Sequence, residues 1–197
     1  MEKKTRNLGA VITRKRLIAL AIFLAACAKP PVPEGPVPPP PFLIPPPIVS
    51  PFGQRNDGPH FGIDIRVPVG TPVLAAAPGD VFWTGQGEIS GRAIIVKHDV
   101  ALATFYFHLS RVDVKKGELV KRGQLIGLSG KTGNATTPHL HFAVCQAPNA
   151  DCRRKIPQGW VSPVGFWLDF ENPCFYPGLN ESVPYHRFTY PVPCRAS

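Results

Sequence analysis

From Ser50 onward the apolar residues fall in short runs, separated by glycine, proline and polar residues. Val67-Pro68-Val69-Gly70-Thr71-Pro72-Val73 is interrupted too often to hold a helix. Ala93-Ile94-Ile95-Val96-Lys97-His98 and Ala103-Thr104-Phe105-Tyr106-Phe107-His108 are rich in β-branched or aromatic residues, the composition of strands. Gly117, Gly123, Gly127, Gly130 and Gly133 then punctuate the chain at turn-like spacing. No window repeats apolar residues at helical spacing over a useful length. The pattern predicts a mainly β fold, with antiparallel β-sheets forming a groove and a core over residues 50–144, a common domain size. Past Val144 the periodicity fades, and residues 145–197 are expected to form a loop-rich C-terminal extension.

Upstream of Ser50 the pattern changes twice. Met1 to Arg16 carries Lys3, Lys4, Arg6, Arg14, Lys15 and Arg16 against Glu2, and Leu17 to Ala26 is apolar. A basic start, a short apolar stretch and small residues mark a secretory signal over residues 1–26. The apolar stretch falls short of the roughly 20 residues that span a bilayer. It ends in Leu24-Ala25-Ala26-Cys27, which resembles the bacterial lipobox. The resemblance implies a lipid on Cys27 and an exported chain anchored in the cell envelope, on an outer membrane where the cell has one. Residues 27–49 are crowded with proline, which fixes φ and donates no backbone hydrogen bond. An extended spacer is expected there, reaching roughly 70 Å at about 3.1 Å per residue.

Charge and cysteines narrow the picture. Residues 1–26 account for five of the nine net positive charges, so the remainder stands near +4. That suits an anionic wall or membrane surface. No Lys/Arg stripe interleaves with aromatics, so nucleic acid is not expected as a partner. Apart from Cys27 there are Cys145, Cys152, Cys174 and Cys194, which in an exported chain suggest two disulfides and allow three pairings. Cys145–Cys152 with Cys174–Cys194 is preferred, because each closes a local loop. Zinc binding by the four is disfavoured by the lack of any C-x-x-C spacing.

The chemistry concentrates in two histidine patterns. His60-Phe61-Gly62-Ile63-Asp64, read as one strand, puts His60, Gly62 and Asp64 on one face and Ile63 on the other. His139-Leu140-His141-Phe142 likewise puts two imidazoles on one face and two apolar side chains on the other. His60, Asp64 and His141 would supply three zinc ligands and leave a fourth position for water, the arrangement of a catalytic site. His108 ends an aromatic strand and gains significance only in that company. His98 is read as a strand-end residue and His186 as a surface one.

These residues resemble the lysostaphin/LytM-type zinc metallopeptidases of cell-wall turnover. The likeness runs from Ser50-Pro51-Phe52-Gly53-Gln54-Arg55 to about Val144. It includes Gly70-Thr71-Pro72-Val73, Tyr106-Phe107-His108-Leu109-Ser110, Val120-Lys121-Arg122-Gly123-Gln124, Gly130-Lys131-Thr132-Gly133 and Pro138-His139-Leu140-His141-Phe142. The resemblance implies Zn²⁺ held by His60, Asp64 and His141, with His108 and His139 assisting catalysis. It also implies an endopeptidase, expected to act as a monomer, that cuts the peptide cross-links of peptidoglycan. This chain departs from the family at Thr137, Ala143 and Arg92, where relatives often have Gly, Glu and Asn; none is a proposed ligand. Two other readings stand beside it: a non-catalytic peptidoglycan-binding regulator of wall amidases, and a biotinyl/lipoyl-like carrier suggested by the glycine-rich segment from Gly123 to Gly133.

Overall fold

The computed structural model describes residues 43–150, 152, 159–177 and 183–196. The proposed signal and Cys27 lie outside them. The strands are β1 (Leu43–Ile44), β2 (Ile48–Ser50), β3 (Gly53–Arg55), β4 (Gly58–His60), β5 (Ile63–Ile65), β6 (Pro72–Leu74), β7 (Gly79–Gly87) and β8 (Gly91–Lys97). They continue as β9 (Leu102–Leu109), β10 (Arg111–Val112), β11 (Leu119–Val120), β12 (Leu125–Leu128), β13 (Leu140–Gln146), β14 (Trp160–Val161) and β15 (Arg195–Ala196). Among the described residues the only helical pieces are two 3₁₀ turns, Pro148–Ala150 and Pro163–Phe166. The fold is therefore mainly antiparallel β, as the hydrophobic pattern predicts.

The main sheet runs β11-β7-β8-β9-β13-β5-β2, with β14 added beside β13, and every pairing in it is antiparallel. The predicted strands at 93–98 and 103–108 are β8 and β9, paired along most of their length. Side chains alternate between faces in a strand, and that alternation divides the core. Ile94, Tyr106, Leu140, Phe142 and Val144 face one side and join the larger apolar cluster. Ile95, Phe105, Ala143 and Cys145 face the other side in a smaller one. Each large side chain so buried is worth about 1.5–3 kcal/mol. Truncating fully buried Phe142 to alanine would cost about 3–5 kcal/mol, because its neighbours cannot close the gap.

The extension after Val144 is loop-rich, yet its aromatic side chains enter the core. Trp167, Phe188, Tyr190 and Val192 belong to the larger cluster. Trp167 stacks on Phe142 at 5.9 Å between ring centres. Buried Arg122 fastens the segment further, donating to the carbonyls of Ala76 at 2.7 Å, Pro184 at 3.0 Å and Val183 at 3.2 Å. The disulfides Cys145–Cys152 and Cys174–Cys194 are both formed.

Part of the proline-rich stretch is structure rather than spacer. β1 pairs with β15, β2 pairs with β5, and Tyr190 Oη donates to the Pro46 carbonyl at 2.7 Å. Proline supplies no donor, but its carbonyl still accepts, and this contact satisfies a buried phenol.

Candidate metal centre

β13 lies between β9 and β5, and its register sets His141 opposite Asp64 on one side and Phe107 on the other. Leu140 and Phe142 are buried on the far face, as alternation requires. His60 arrives by a different route. It ends β4, in a hairpin where it pairs with Gly53. The single strand expected across His60–Asp64 is in fact two, β4 and β5, with Phe61 and Gly62 between them. Gly62 explains the break. A Cβ there would stand 2.6 Å from His141 Nε2 and 2.7 Å from the Phe142 carbonyl, so the backbone passes beneath His141 only because no side chain is present.

Three donor atoms converge. His60 Nε2 lies 3.2 Å from Asp64 Oδ1 and 3.1 Å from His141 Nδ1, and His141 Nδ1 lies 2.9 Å from Asp64 Oδ1. Tetrahedral zinc with bonds of about 2.0–2.1 Å separates its ligand atoms by roughly 3.3 Å. The donor set fits that ion in spacing and in chemistry. His60 Nδ1 donates to the Pro51 carbonyl at 2.8 Å, which directs the lone pair of Nε2 into the cluster. Arg55 Nη2 donates to the second carboxylate oxygen, Asp64 Oδ2, at 2.8 Å, leaving Oδ1 turned inward. Burial alone would raise the Asp64 carboxyl. The hydrogen bonds and charge of His141 and His60 outweigh it and hold the group well below the usual carboxylate range. Burial pushes His141 down, only partly opposed by Asp64, and so favours the neutral ring that metals bind.

Two more imidazoles stand beside the cluster. His139 Nδ1 donates to the Thr137 carbonyl at 2.8 Å, and its Nε2 lies 3.6 Å from Asp64 Oδ1. His108 Nδ1 donates to the Thr132 carbonyl at 2.9 Å. A carbonyl can only accept, so both rings carry the proton on Nδ1 and keep Nε2 as the basic nitrogen. The two ring centres are 4.7 Å apart, and His108 is 6.0 Å from His141. Burial pushes His108 down to about 4, against the opposing effect of its bond to Thr132. His108 also has φ 63, a left-handed conformation that a residue with a side chain adopts at a cost of about 1–3 kcal/mol. It falls within β9 where the pairing with β8 shifts register, and the ring lies against His139.

All five residues singled out by sequence thus meet in one place. His98 and His186 do not join them: His98 follows β8 directly and faces the opposite side, and His186 is exposed. Sequence reasoning gave no role to Arg55, although it ties down a carboxylate oxygen. It also missed the groove walls. The cluster opens into a cavity of about 380 Å³ bordered by Phe61, Ile89, Phe107, Asn134 and Trp160. Phe107 stacks flat on His141 at 5.3 Å, an arrangement that β9–β13 register alone would have revealed.

Comparison with known proteins points to one peptidase family. Over 88 residues the chain is 46% identical to the peptidoglycan DD-endopeptidase ShyA of Vibrio cholerae serotype O1, covering 45% of this chain and 20% of that protein. The chain spans about a fifth of the length of the curated relatives it matches first. A zinc-containing peptidase from Vibrio cholerae superposes with a TM-score of 0.50 at 36% identity, over 55% of this chain and 36% of that one. The catalytic domain of the prophage-encoded M23 protein EnpA from Enterococcus faecalis, in a mutant form, does so with a TM-score of 0.50 at 31% identity, over 59% of this chain and 88% of the domain. Residues 58–151 match Peptidase family M23. With that match spanning the strands that bring His60, Asp64 and His141 together, the chain belongs to peptidase family M23.

Proposed function

We propose that this protein is a zinc-dependent endopeptidase that hydrolyses peptide cross-links of bacterial peptidoglycan, exported and anchored through a lipid on Cys27. The observation that carries the activity is the juxtaposition of a three-donor cluster with two further imidazoles across one groove. In this reading His60, Asp64 and His141 hold the ion. Bound zinc would lower the pKa of a water toward about 7 and polarise the scissile carbonyl. Arg55 keeps the Asp64 carboxylate in one orientation. His139 and His108 each offer an unprotonated Nε2 that can accept a proton from the attacking water and return it to the leaving amine. A protonated ring then donates to the oxyanion as it develops. The backbone carbonyls of Thr132 and Thr137 fix both rings, so no reorientation is needed between these steps.

Digestion of purified peptidoglycan by the full chain, with mass analysis of what is released, tests the activity. Released peptides without free sugars support it. Binding to sacculi with no release, across pH 6 to 9 and with zinc supplied, would replace it with the amidase-regulator reading. The anchor rests on Leu24-Ala25-Ala26-Cys27 and is tested separately. Cys27→Ser should move the protein from the membrane fraction to the soluble one, and retention in the membrane fraction would refute the lipid.

A further inference from the structure

One wall of the groove is aromatic, and part of it comes from beyond the stretch that matches the family. Trp160 stands in β14, paired with Cys145 of β13. Three features hold it there. Cys145 is bonded to Cys152, which draws the start of the extension back onto β13. Gly159 lies against that bond with φ 103, where a Cβ would sit 3.0 Å from Cys152 Sγ and 2.8 Å from the Ala147 Cβ. Gln146 N donates to the Gly159 carbonyl at 2.7 Å. The indole then meets Phe105 edge-on at 4.8 Å and stacks on Phe61 at 6.1 Å and 23°. Phe61 follows His60 directly, so the pair lines the groove beside the cluster.

We infer that Trp160 is a specificity-determining residue, which with Phe61 forms a flat apolar wall for the aliphatic side of a peptide beside the scissile bond. The inference rests on the peptidase reading above and names a contact within it. A partly exposed indole is costly surface unless something covers it, and a rigid aromatic gives large contact area at little loss of freedom. The wall carries no charge and presents stacked aromatic rings, so it suits alkyl side chains rather than bare glycine or an acidic group. Its position is set by a glycine, a disulfide and the far end of β13, where it pairs with Cys145, four residues past His141. Substrate preference can therefore vary at Trp160 without disturbing the ligands.

The test measures hydrolysis of a soluble cross-linked stem-peptide dimer bearing alanine side chains, using full-length wild type, Trp160→Ala and Trp160→Phe. Trp160→Ala should raise KM about tenfold, with kcat within about twofold, and Trp160→Phe should stay within about threefold of wild type in KM. Zinc content and melting temperature should match wild type. A pentaglycine substrate should lose less than the alanine one. A second readout is fluorescence: adding the dimer should change the emission of wild type, and Trp160→Phe should abolish that change. An unaltered KM in Trp160→Ala, a loss in kcat alone, or a fluorescence change that persists in Trp160→Phe would each overturn the inference. If Trp160→Ala fails to fold, the Trp160→Phe fluorescence result decides. Wild type that cuts neither substrate would sink the peptidase reading itself, an outcome distinct from normal cutting with an unchanged KM.

Discussion

Two histidines on opposite sides of the main sheet begin in the same way and end differently. His60 Nδ1 bonds the Pro51 carbonyl at 2.8 Å, and His98 Nδ1 bonds the Pro78 carbonyl at 2.7 Å. Both rings are thereby fixed in one tautomer with Nε2 as the remaining acceptor. His98 Nε2 meets the Thr104 hydroxyl at 2.9 Å, and that hydroxyl bonds Tyr106 Oη at 3.1 Å. The chain of bonds closes when Ala76 N donates to the Tyr106 oxygen at 3.0 Å. Every polar atom there has a partner from the protein. His60 Nε2 instead faces another imidazole nitrogen and a carboxylate oxygen, three atoms rich in lone pairs and poor in protons. The contrast is that an anchored imidazole stays available to a metal only when its second nitrogen is left facing other electron donors. A hydroxyl in that place makes it structural.

The comparison can be broken most severely at the ligands. Asp64→Ala and His141→Ala should each reduce zinc per chain and peptide release to background, measured by metal analysis and wall digestion. Full zinc content in His141→Ala would dissolve the distinction between the two histidine sites. Next in size, His139→Ala and His108→Ala should keep their zinc yet lose about 10²–10⁴-fold in turnover. The double variant should lose less than the product of the two, because both rings serve one transition state.

A smaller effect separates the structural histidine by pH. Burial pushes His98 down to about 4 from an ordinary 6.5, with the Pro78 bond opposing. The unfolded chain takes up this proton near pH 6.5, while the folded chain resists until about pH 4. Folded-state stability is therefore intact above pH 6.5 and declines as the pH falls toward 4. The whole shift is worth at most about 3 kcal/mol. Denaturant titrations of wild type and His98→Gln across pH 4.5 to 7.5 should show this component only in wild type, with zinc content equal at pH 7.5. Smallest of the four, Arg55→Ala should weaken zinc binding about tenfold in a chelator competition. Arg55 is 32% exposed, so solvent can partly replace it at Asp64 Oδ2.

The sheet and the facing of His141 were legible because both follow from local periodicity, whereas the roles of His108 and His139 came through the family resemblance. Alternation in Leu140-His141-Phe142 fixes which way His141 points, and nothing distant has to be known. The break at Phe61–Gly62 was not legible, since the demand for glycine comes from His141, far along the chain. Arg55 escaped for a similar reason: its partner is chosen by a hairpin turning back on β5. The packing of residues 43–49 was hidden by their prolines, which speak for an extended backbone but not for what that backbone touches. The extension was the least readable part. Trp167, Phe188 and Tyr190 follow no period, and their burial depends on two disulfides and on Arg122 gripping Val183 and Pro184.

The pairing of β2 with β5 has a mechanical consequence. Ser50 is the partner of Asp64 across that ladder, and Ile48 is the partner of Ile65. Tension arriving from the N-terminal side passes first through β1, zipped to β15, and the Pro46–Tyr190 bond. Only when those yield would a load reach the edge of β5, the strand that carries Asp64. β1 and the Pro46–Tyr190 bond thus lie, along the chain, ahead of the strand paired with the one that carries Asp64, like a clamp set before a joint.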